Sequence, residues 1–376
     1  MGTIPDWLDP TPWLAITREA DSARVAAAIA ANDSSEARLA TLLSPAARQP
    51  IFLEKMARKA QALTRRHFGN TIALYVPLYL SNYCTGGCAY CGFASDRSQP
   101  RAKLSWQELE EELLAIKALG FEDILLLTGE RHKEARFDYL LKSVQETAKH
   151  FHNVTTETYA LSVGEYRQLT DAGCTGMTIY QETFDPVLYE KMHRWGEKRV
   201  YKWRIEAPAR ALEGGFRTVG LGALLGLGDP MFDLISLFRH VRFLQKHYWR
   251  AGISVSFPRI CHQTGDWKAK HFVDERQLAQ IIFAFRLCLP ETPLTLSTRE
   301  EPAFRDGIAG LGINRMSIAS KTTVGGYRHD AETGGQFDIQ DPRSIEAFCN
   351  MLRAKGLEPI FKNWEAVYRD GEPALL

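Results

Sequence analysis

From about residue 70 to about residue 320 the chain repeats one alternation: a short β-rich run, then a longer amphipathic stretch of helical period. That order predicts βα units around a parallel sheet. The candidate strands are TIALYVPL from Thr71, DILLLT from Asp123, NVTTETY from Asn153, TGMTIYQ from Thr175, RTVGLGALL from Arg217, ISVSFP from Ile253, PLTLST from Pro293 and INRMSIA from Ile313. Eight strands with interleaved helices predict an α/β fold, a closed (β/α)8 barrel of the TIM type, with an open doubly wound sheet as the alternative. The helical stretches are well punctuated. In SWQELEEELLAIKALG, Ser105 caps, Glu108 completes a capping box and Gly120 supplies the left-handed stop. Others are FDYLLKSVQETAKHF, VGEYRQLTDAG, Tyr201 to Gly214, DLISLFRHVRFLQKHYW and ERQLAQIIFAFRLCL. Residues 1–70 read as a helical extension, ARVAAAIAAN and then ARQPIFLEKMARKAQALTRRHF, broken at Ser44-Pro45. Residues 71–320 form the barrel. Residues 321–376 hold the glycine-rich TTVGGYRHDAETGGQFDIQDP and one more helix, SIEAFCNMLRAKGL, and are expected to cap the barrel mouth.

Directly after the first strand, YLSNYCTGGCAYCGF sets Cys84, Cys88 and Cys91 in the spacing C-x-x-x-C-x-x-C. Thiolates so close in sequence can converge on one metal centre, and Gly86, Gly87 and Gly92 let the backbone wrap it. A four-iron cluster ordinarily takes four cysteines, so three leave one iron open to another molecule. A vacant position signals chemistry where a closed ligand set signals structure. A structural zinc site is disfavoured because neither His67 nor His132 stands at finger-like spacing. In a TIM barrel the working face lies at the carboxyl ends of the strands, where this loop falls.

The chain has 376 residues, 45% of them hydrophobic and 24% charged, enough for one enzyme-sized core. The net charge of +1, from 46 basic and 45 acidic residues, lacks the basic footprint of a nucleic-acid binder. No apolar run reaches membrane-span length and the start MGTIPDWLDP is no signal region, so a cytoplasmic protein without membrane partners is expected. Cys174, Cys261, Cys288 and Cys349 are scattered and read mostly as small apolar fillers.

Other strand ends carry polar groups. Thr128-Gly129-Glu130 closes the second strand, and there backbone and acid can reach a ligand's ammonium group, although an ordinary strand-to-helix turn explains the same residues. Glu157 in the third strand is open to the same two readings. Glu182 follows the fourth strand and Arg204 falls in YKWRIE; they suit the ammonium and carboxylate of a bound amino acid, or are surface charges. Arg299 ends the seventh strand, fit to grip a carboxylate or to pair with Glu300 or Glu301 on the rim, and Ser317 lies in the eighth. The glycines of VGLGALLGLGD do not give a nucleotide loop and read as small residues inside a barrel. Hydrolase motifs are missing.

The cysteine triplet, with Tyr90 before its third member, resembles the radical S-adenosylmethionine (SAM) superfamily. FGNT, YVPLYLSNYC, CAYCGF, LLLTGE, YQETF, WRIE, GLGALLGL, HYW followed by SVSFPR, LSTRE and FKNWE resemble its tyrosine-lyase family of thiamine biosynthesis, across nearly the whole chain. The resemblance implies a [4Fe-4S] cluster on Cys84, Cys88 and Cys91, with SAM chelating the fourth iron. It places Tyr90 against the adenine, Gly129 and Glu130 at the methionine ammonium, Glu182 and Arg204 at the remaining polar ends of SAM, and Arg299 and Ser317 at the carboxylate of L-tyrosine. The implied reaction breaks the Cα–Cβ bond of tyrosine to give 2-iminoacetate (dehydroglycine) and p-cresol, with SAM converted to methionine and 5′-deoxyadenosine. It further implies a low-potential electron donor such as flavodoxin and a complex with thiazole synthase. Related aromatic lyases, a tryptophan lyase and the hydrogenase-maturation tyrosine lyase, are the alternatives. The latter carries late cysteines for a second cluster, whereas here only Cys349 stands late in the chain. After SVSFPR, ICHQTGDW departs from the basic, proline-rich segment the resemblance predicts, leaving the loop at His262 without a role.

Overall fold

The strand runs are buried on both faces, as a parallel sheet wrapped in helices requires: TIALYVPL and DILLLT are apolar almost throughout, and the later runs mix apolar residues with serine and threonine. In the computed structural model, which describes residues 3–265, 267–328 and 333–362, they become β1 (Thr71–Ser81), β2 (Asp123–Thr128), β3 (Asn153–Glu157), β4 (Cys174–Glu182), β5 (Thr218–Ala223), β6 (Gly252–Ser256), β7 (Leu294–Leu296) and β8 (Arg315–Ser317). Each pairs in parallel with the next, and β8 pairs back onto β1, with Ala73 opposite Arg315 and Tyr75 opposite Ser317. The closed barrel removes the doubly wound alternative. The last two strands are shorter than their apolar runs. Beyond β7 the Thr298 amide leaves the ladder and donates to the Ser317 hydroxyl at 3.2 Å.

The barrel interior is polar above its floor. Tyr75, Thr178, Tyr180, Ser254, Ser256 and Thr295 face a small internal space. Gly220 and Gly222 of β5 make room for them: a Cβ at the first would stand 2.7 Å from the Thr178 hydroxyl, and at the second 2.5 Å from the Tyr180 ring. At the amino ends of the strands Arg315 donates to both carboxylate oxygens of Asp123, at 3.1 and 2.9 Å, closing the floor with a buried ion pair.

The helices begin and end largely where their caps predict. Ser105 and Glu108 form the expected capping box and Gly120 takes φ +90°. The stretch from Tyr201 breaks into Tyr201–Ile205 and Ala207–Glu213, because Pro208 lacks the amide that would bond back to the Arg204 carbonyl and fits instead in the first turn of a new helix. The amino-terminal part holds four helices where two were expected: Thr11–Glu19, Ser22–Ala30, Glu36–Leu42 and Pro50–Phe68. The long one starts at Pro50, three residues later than its apolar pattern, since proline forces Gln49 into an extended ψ of 143°. Buried Arg38 ties these helices to the barrel by donating to the carbonyls of Ala28, Ala31 and Leu287.

The carboxyl-terminal part does two things. Residues beyond Ser320 cross the mouth, where the Tyr327 hydroxyl donates to the Pro77 carbonyl at 2.6 Å and the Glu112 carboxylate accepts the Tyr327 and Arg328 amides. The helix Ile345–Ala354 then leads to an unexpected ninth strand, β9 (Glu358–Ile360), at the opposite end. It fills the edge of β1 at Thr71–Ala73, below Val76 where β2 begins to pair. Trp364 and Glu365 of the FKNWE motif, and the rest of the expected cap after residue 362, lie outside the described residues.

The crossing segment is pinned by Arg305, whose guanidinium donates to Asp341 and to the Ser317 carbonyl, with the side chains of Arg305 and Asp341 fully buried. Arg343 adds a second contact to Asp341 at 2.8 Å. Burial alone would raise the Asp341 carboxyl, but the hydrogen bonds from Arg343 and the charge of Arg305 outweigh it and hold it below the usual range. Asp341→Ala strands the Arg305 charge, so it should cost about 3–5 kcal/mol of stability in chemical denaturation. A carboxyl depressed in the folded state contributes fully above its ordinary pKa of about 3.9 and loses that contribution as the pH falls below it. Acid titration should therefore separate wild type from the alanine variant above pH 4 and bring them together below it.

Candidate active site

At the upper end of β1 the buried side chain of Asn82 accepts from the Ala102 amide at 2.7 Å and donates to the Pro100 carbonyl at 2.8 Å. It clamps together the two ends of the loop that carries the cysteines. Arg101 staples the interior, donating to the carbonyls of Asn82, Phe93 and Ala94. Gly129, after β2, lies against this loop: a Cβ there would stand 2.8 Å from that of Cys84 and 3.1 Å from the Tyr83 carbonyl carbon. Only glycine lets the strand end and the loop approach so closely.

Backbone amides point at the sulfurs. Gly86 and Glu130 donate to Cys84 Sγ at 3.3 and 3.4 Å, and Phe93 to Cys91 Sγ at 3.4 Å. The Gln336 side-chain amide reaches Cys91 Sγ at 3.7 Å from the crossing segment. Burial, then the charge of Glu130, pushes the Cys84 thiol up to about 12, and burial pushes Cys88 higher still. At neutral pH such groups stand as thiols, and a bound metal cluster would supply the positive charge that makes them thiolates. The sulfurs are not gathered as around one ion: no group of three or more His, Cys, Asp or Glu among the described residues is placed to hold a metal ion. A four-iron cluster asks for wider spacing, one cysteine to an iron corner.

The stretch 192–195, between the sequence candidates Glu182 and Arg204, forms the far wall. Gly87 donates to the Trp195 carbonyl, Ala89 donates to that of Met192, and a Cβ at Gly87 would run into the Trp195 ring. Buried His193 meets the cysteine loop through the Tyr90 hydroxyl, 2.7 Å from Nε2. Its Nδ1 lies 2.7 Å from the Tyr189 carbonyl, which can only accept. Burial and the charge of Lys198 hold His193 well below its ordinary pKa, so a neutral ring donates from Nδ1 and accepts from Tyr90 at Nε2.

Behind Tyr90 stands a buried charge network. Arg204 lies 3.4 Å from Glu130 and 3.8 Å from Glu182, and Lys198 lies 2.6 Å from Glu182. Glu182 takes φ 70°, an uncommon conformation for a residue with a side chain, at the irregularity that ends β4. Glu130, Glu182 and Arg204 therefore come together as one group and are not surface charges. A cavity opens beside them, walled by Tyr90, Cys91, Glu157, Glu182, Lys198 and Arg299. Gln336 and Phe337 of the crossing segment cover it, with the Arg299 guanidinium 3.3 Å from the centre of the Phe337 ring.

Arg299 makes no ion pair with Glu300 or Glu301 among the described residues, and Glu300 is taken by Arg259. Ser317 does not reach the cavity wall; its hydroxyl accepts from the Thr298 amide and from Ser320, steadying the strand end that carries Arg299. Cys261 is not a buried filler, since it lines the cavity beside Arg299. His262 is exposed, 2.8 Å from Asp338 of the crossing segment. Lys198, Gln336 and Phe337 were missed, and no local sequence pattern marks them.

Comparison with known proteins gives this geometry its context. Residues 78–241 match the radical SAM superfamily and residues 256–358 the biotin and thiamin synthesis associated domain. The chain is 42% identical to 2-iminoacetate synthase of Salmonella typhimurium over 87% of each chain. It is 41% identical to that of Escherichia coli, over 92% of this chain and 91% of the relative. Among solved structures, HydG, a maturase of the [FeFe]-hydrogenase, superposes with a TM-score of 0.90 at 27% identity, covering 98% of this chain and 83% of that one. Three cysteines at the barrel mouth, amides aimed at their sulfurs and a charged cavity beside them fit the [4Fe-4S] cluster and SAM on which that superfamily relies. The chain belongs to the 2-iminoacetate synthases, the radical SAM lyases of tyrosine.

Proposed function

We propose that Cys84, Cys88 and Cys91 each ligate one iron of the [4Fe-4S] cluster and leave the fourth iron to SAM. When bound and reduced, the cluster would supply the electron for cleavage of SAM, whose 5′-deoxyadenosyl group would take a hydrogen atom from the substrate. The chain cleaves L-tyrosine between Cα and Cβ to 2-iminoacetate and p-cresol. The convergence that carries this reading is the single cavity holding both Cys91 of the cluster loop and Arg299, an arginine with no ion-pair partner among the described residues.

In this assignment Glu130 receives the methionine ammonium of SAM beside Gly129, whose missing side chain opens the approach. Arg204 and Glu182 take the remaining polar ends, held ready by their mutual ion pairs and by Lys198. Neutral His193 fixes the ring of Tyr90 for stacking on the adenine. Arg299 grips the tyrosine carboxylate, its planar face stacked on Phe337 so that its orientation is set before substrate arrives. Ser317 supports that contact through Thr298. The crossing segment of the expected 321–376 cap, with Gln336 and Phe337, keeps water from the reacting atoms above the 71–320 barrel, and the 1–70 extension braces the barrel's outer helices. The product imine hydrolyses readily, which favours direct delivery to thiazole synthase for thiamine biosynthesis. Flavodoxin suits the one-electron supply, and a cytoplasmic setting follows from such partners. No helix among the described residues is long and apolar enough to cross a membrane.

Two measurements test the assignment. Changing Cys84, Cys88 or Cys91 singly to alanine should abolish most of the iron and sulfide taken up on anaerobic reconstitution, while Cys174→Ala, buried between β3 and β4, should keep it. Equal iron in all four variants would put the cluster elsewhere. Arg299→Ala removes a charge-assisted contact of about 1.5–3 kcal/mol, so the KM for tyrosine should rise tenfold or more while slow SAM cleavage without tyrosine persists. Unchanged tyrosine kinetics would remove Arg299 from the site.

A further inference from the structure

Glu157 closes β3 and lines the cavity, yet its carboxylate makes no hydrogen bond or ion pair among the described residues. Every other charge of the wall has a partner or a stacking ring. Lys198 serves Glu182, Arg204 serves Glu130 and Glu182, and Arg299 lies on Phe337. A carboxylate at a water-poor wall is costly unless something cationic meets it. The groups that act on it come from every side: Tyr75 and Tyr79 of β1, Tyr180 and Glu182 of β4, Lys198 and Arg204 after β4, and Arg299 after β7. From β2 its neighbour in register is the uncharged Leu127.

The juxtaposition of Glu157 with Arg299 in one cavity matches an α-amino acid, whose ammonium and carboxylate stand on a single carbon. We propose that Glu157 binds the ammonium group of the substrate tyrosine and accepts one proton from it before the hydrogen atom is removed. This rests on Arg299 holding the tyrosine carboxylate. The step balances without an oxidant: the ammonium and the carboxylate become a neutral amine and a carboxylic acid, and no electron moves. Taking the hydrogen from nitrogen leaves a radical whose β-scission breaks the Cα–Cβ bond to the imine, and an ammonium nitrogen has no lone pair to stabilise that radical whereas an amine has one. Burial and then Glu182 raise the Glu157 carboxyl to about 7 against the opposing pull of Arg299, Lys198 and Arg204, which suits a general base working near neutrality.

The experiment uses reconstituted full-length protein with SAM bound, comparing wild type with Glu157→Gln, which keeps size and hydrogen bonding but not proton acceptance. Two ligands are measured anaerobically by equilibrium dialysis: L-tyrosine and 3-(4-hydroxyphenyl)propanoate, which lacks the amine. Glu157→Gln should bind tyrosine at least tenfold more weakly and the amine-free analogue unchanged. The wild-type kcat/KM for p-cresol should fall as the pH drops below about 7, since a protonated Glu157 can accept nothing, and the variant should lose that limb along with at least a hundredfold in rate. A variant weakened equally for both ligands, or one binding tyrosine as wild type does, overturns the Glu157 assignment while leaving the lyase reading intact. Wild type that makes no p-cresol overturns that reading, and this one with it.

Discussion

The close approach of Gly129 to the Tyr83–Cys84 backbone is the contact on which the rest of the site hangs. It joins the end of β2 to the start of the cysteine loop, and through it the Glu130 amide reaches Cys84 Sγ while the Glu130 carboxylate turns to Arg204. Two positions are thereby fixed by one backbone crossing: where the Cys84 sulfur stands, and where the Glu130 carboxylate stands relative to it. Any side chain at position 129 would separate them. The clamp by Asn82 and the staple by Arg101 keep the loop compact, but they do not set its height over the barrel.

Around that crossing the barrel mouth holds three acids, Glu130, Glu157 and Glu182, and three bases, Lys198, Arg204 and Arg299. Buried charges persist only when they are paired or meet a ligand that completes the pairing. Here Lys198 and Arg204 stabilise the side toward the cysteines, and the two groups left without an ion partner, Glu157 and Arg299, face the cavity. The division mirrors the two molecules that the reaction needs. In the proposed assignment one finds a network already built, and the other finds a carboxylate and a guanidinium in one cavity.

Much of this was legible in the sequence because parallel barrel strands, buried on both faces, leave apolar runs that need no partner to be seen. The cysteine spacing, the capping box at Ser105 and the glycines of β5 are local signals of the same kind. What was not legible depends on contacts between distant segments. The strand at Glu358–Ile360 has three residues, too few to show a period, and exists because β2 starts pairing only at Val76 and leaves the lower edge of β1 open. The helix Glu36–Leu42 is seven residues long and owes its place to Arg38 reaching across to Leu287. Lys198, His193 and Gln336 gain their roles from packing over the cysteine loop, and nothing in their neighbours announces it. Glu157 and Arg299 were visible as strand-end charges, but their isolation from other charges is a property of the folded mouth. Ser317 was seen in the right strand, and its hydroxyl turned out to serve the backbone behind Arg299.

The central claim is that this mouth serves the radical cleavage of tyrosine. The most direct measurement is an anaerobic incubation of reconstituted protein with dithionite, SAM and either tyrosine or tryptophan, reading 5′-deoxyadenosine and aromatic products by chromatography. The account predicts p-cresol and 5′-deoxyadenosine in step with tyrosine and no cleaved product from tryptophan. Formation of 5′-deoxyadenosine without p-cresol, or an indole product from tryptophan, would contradict it.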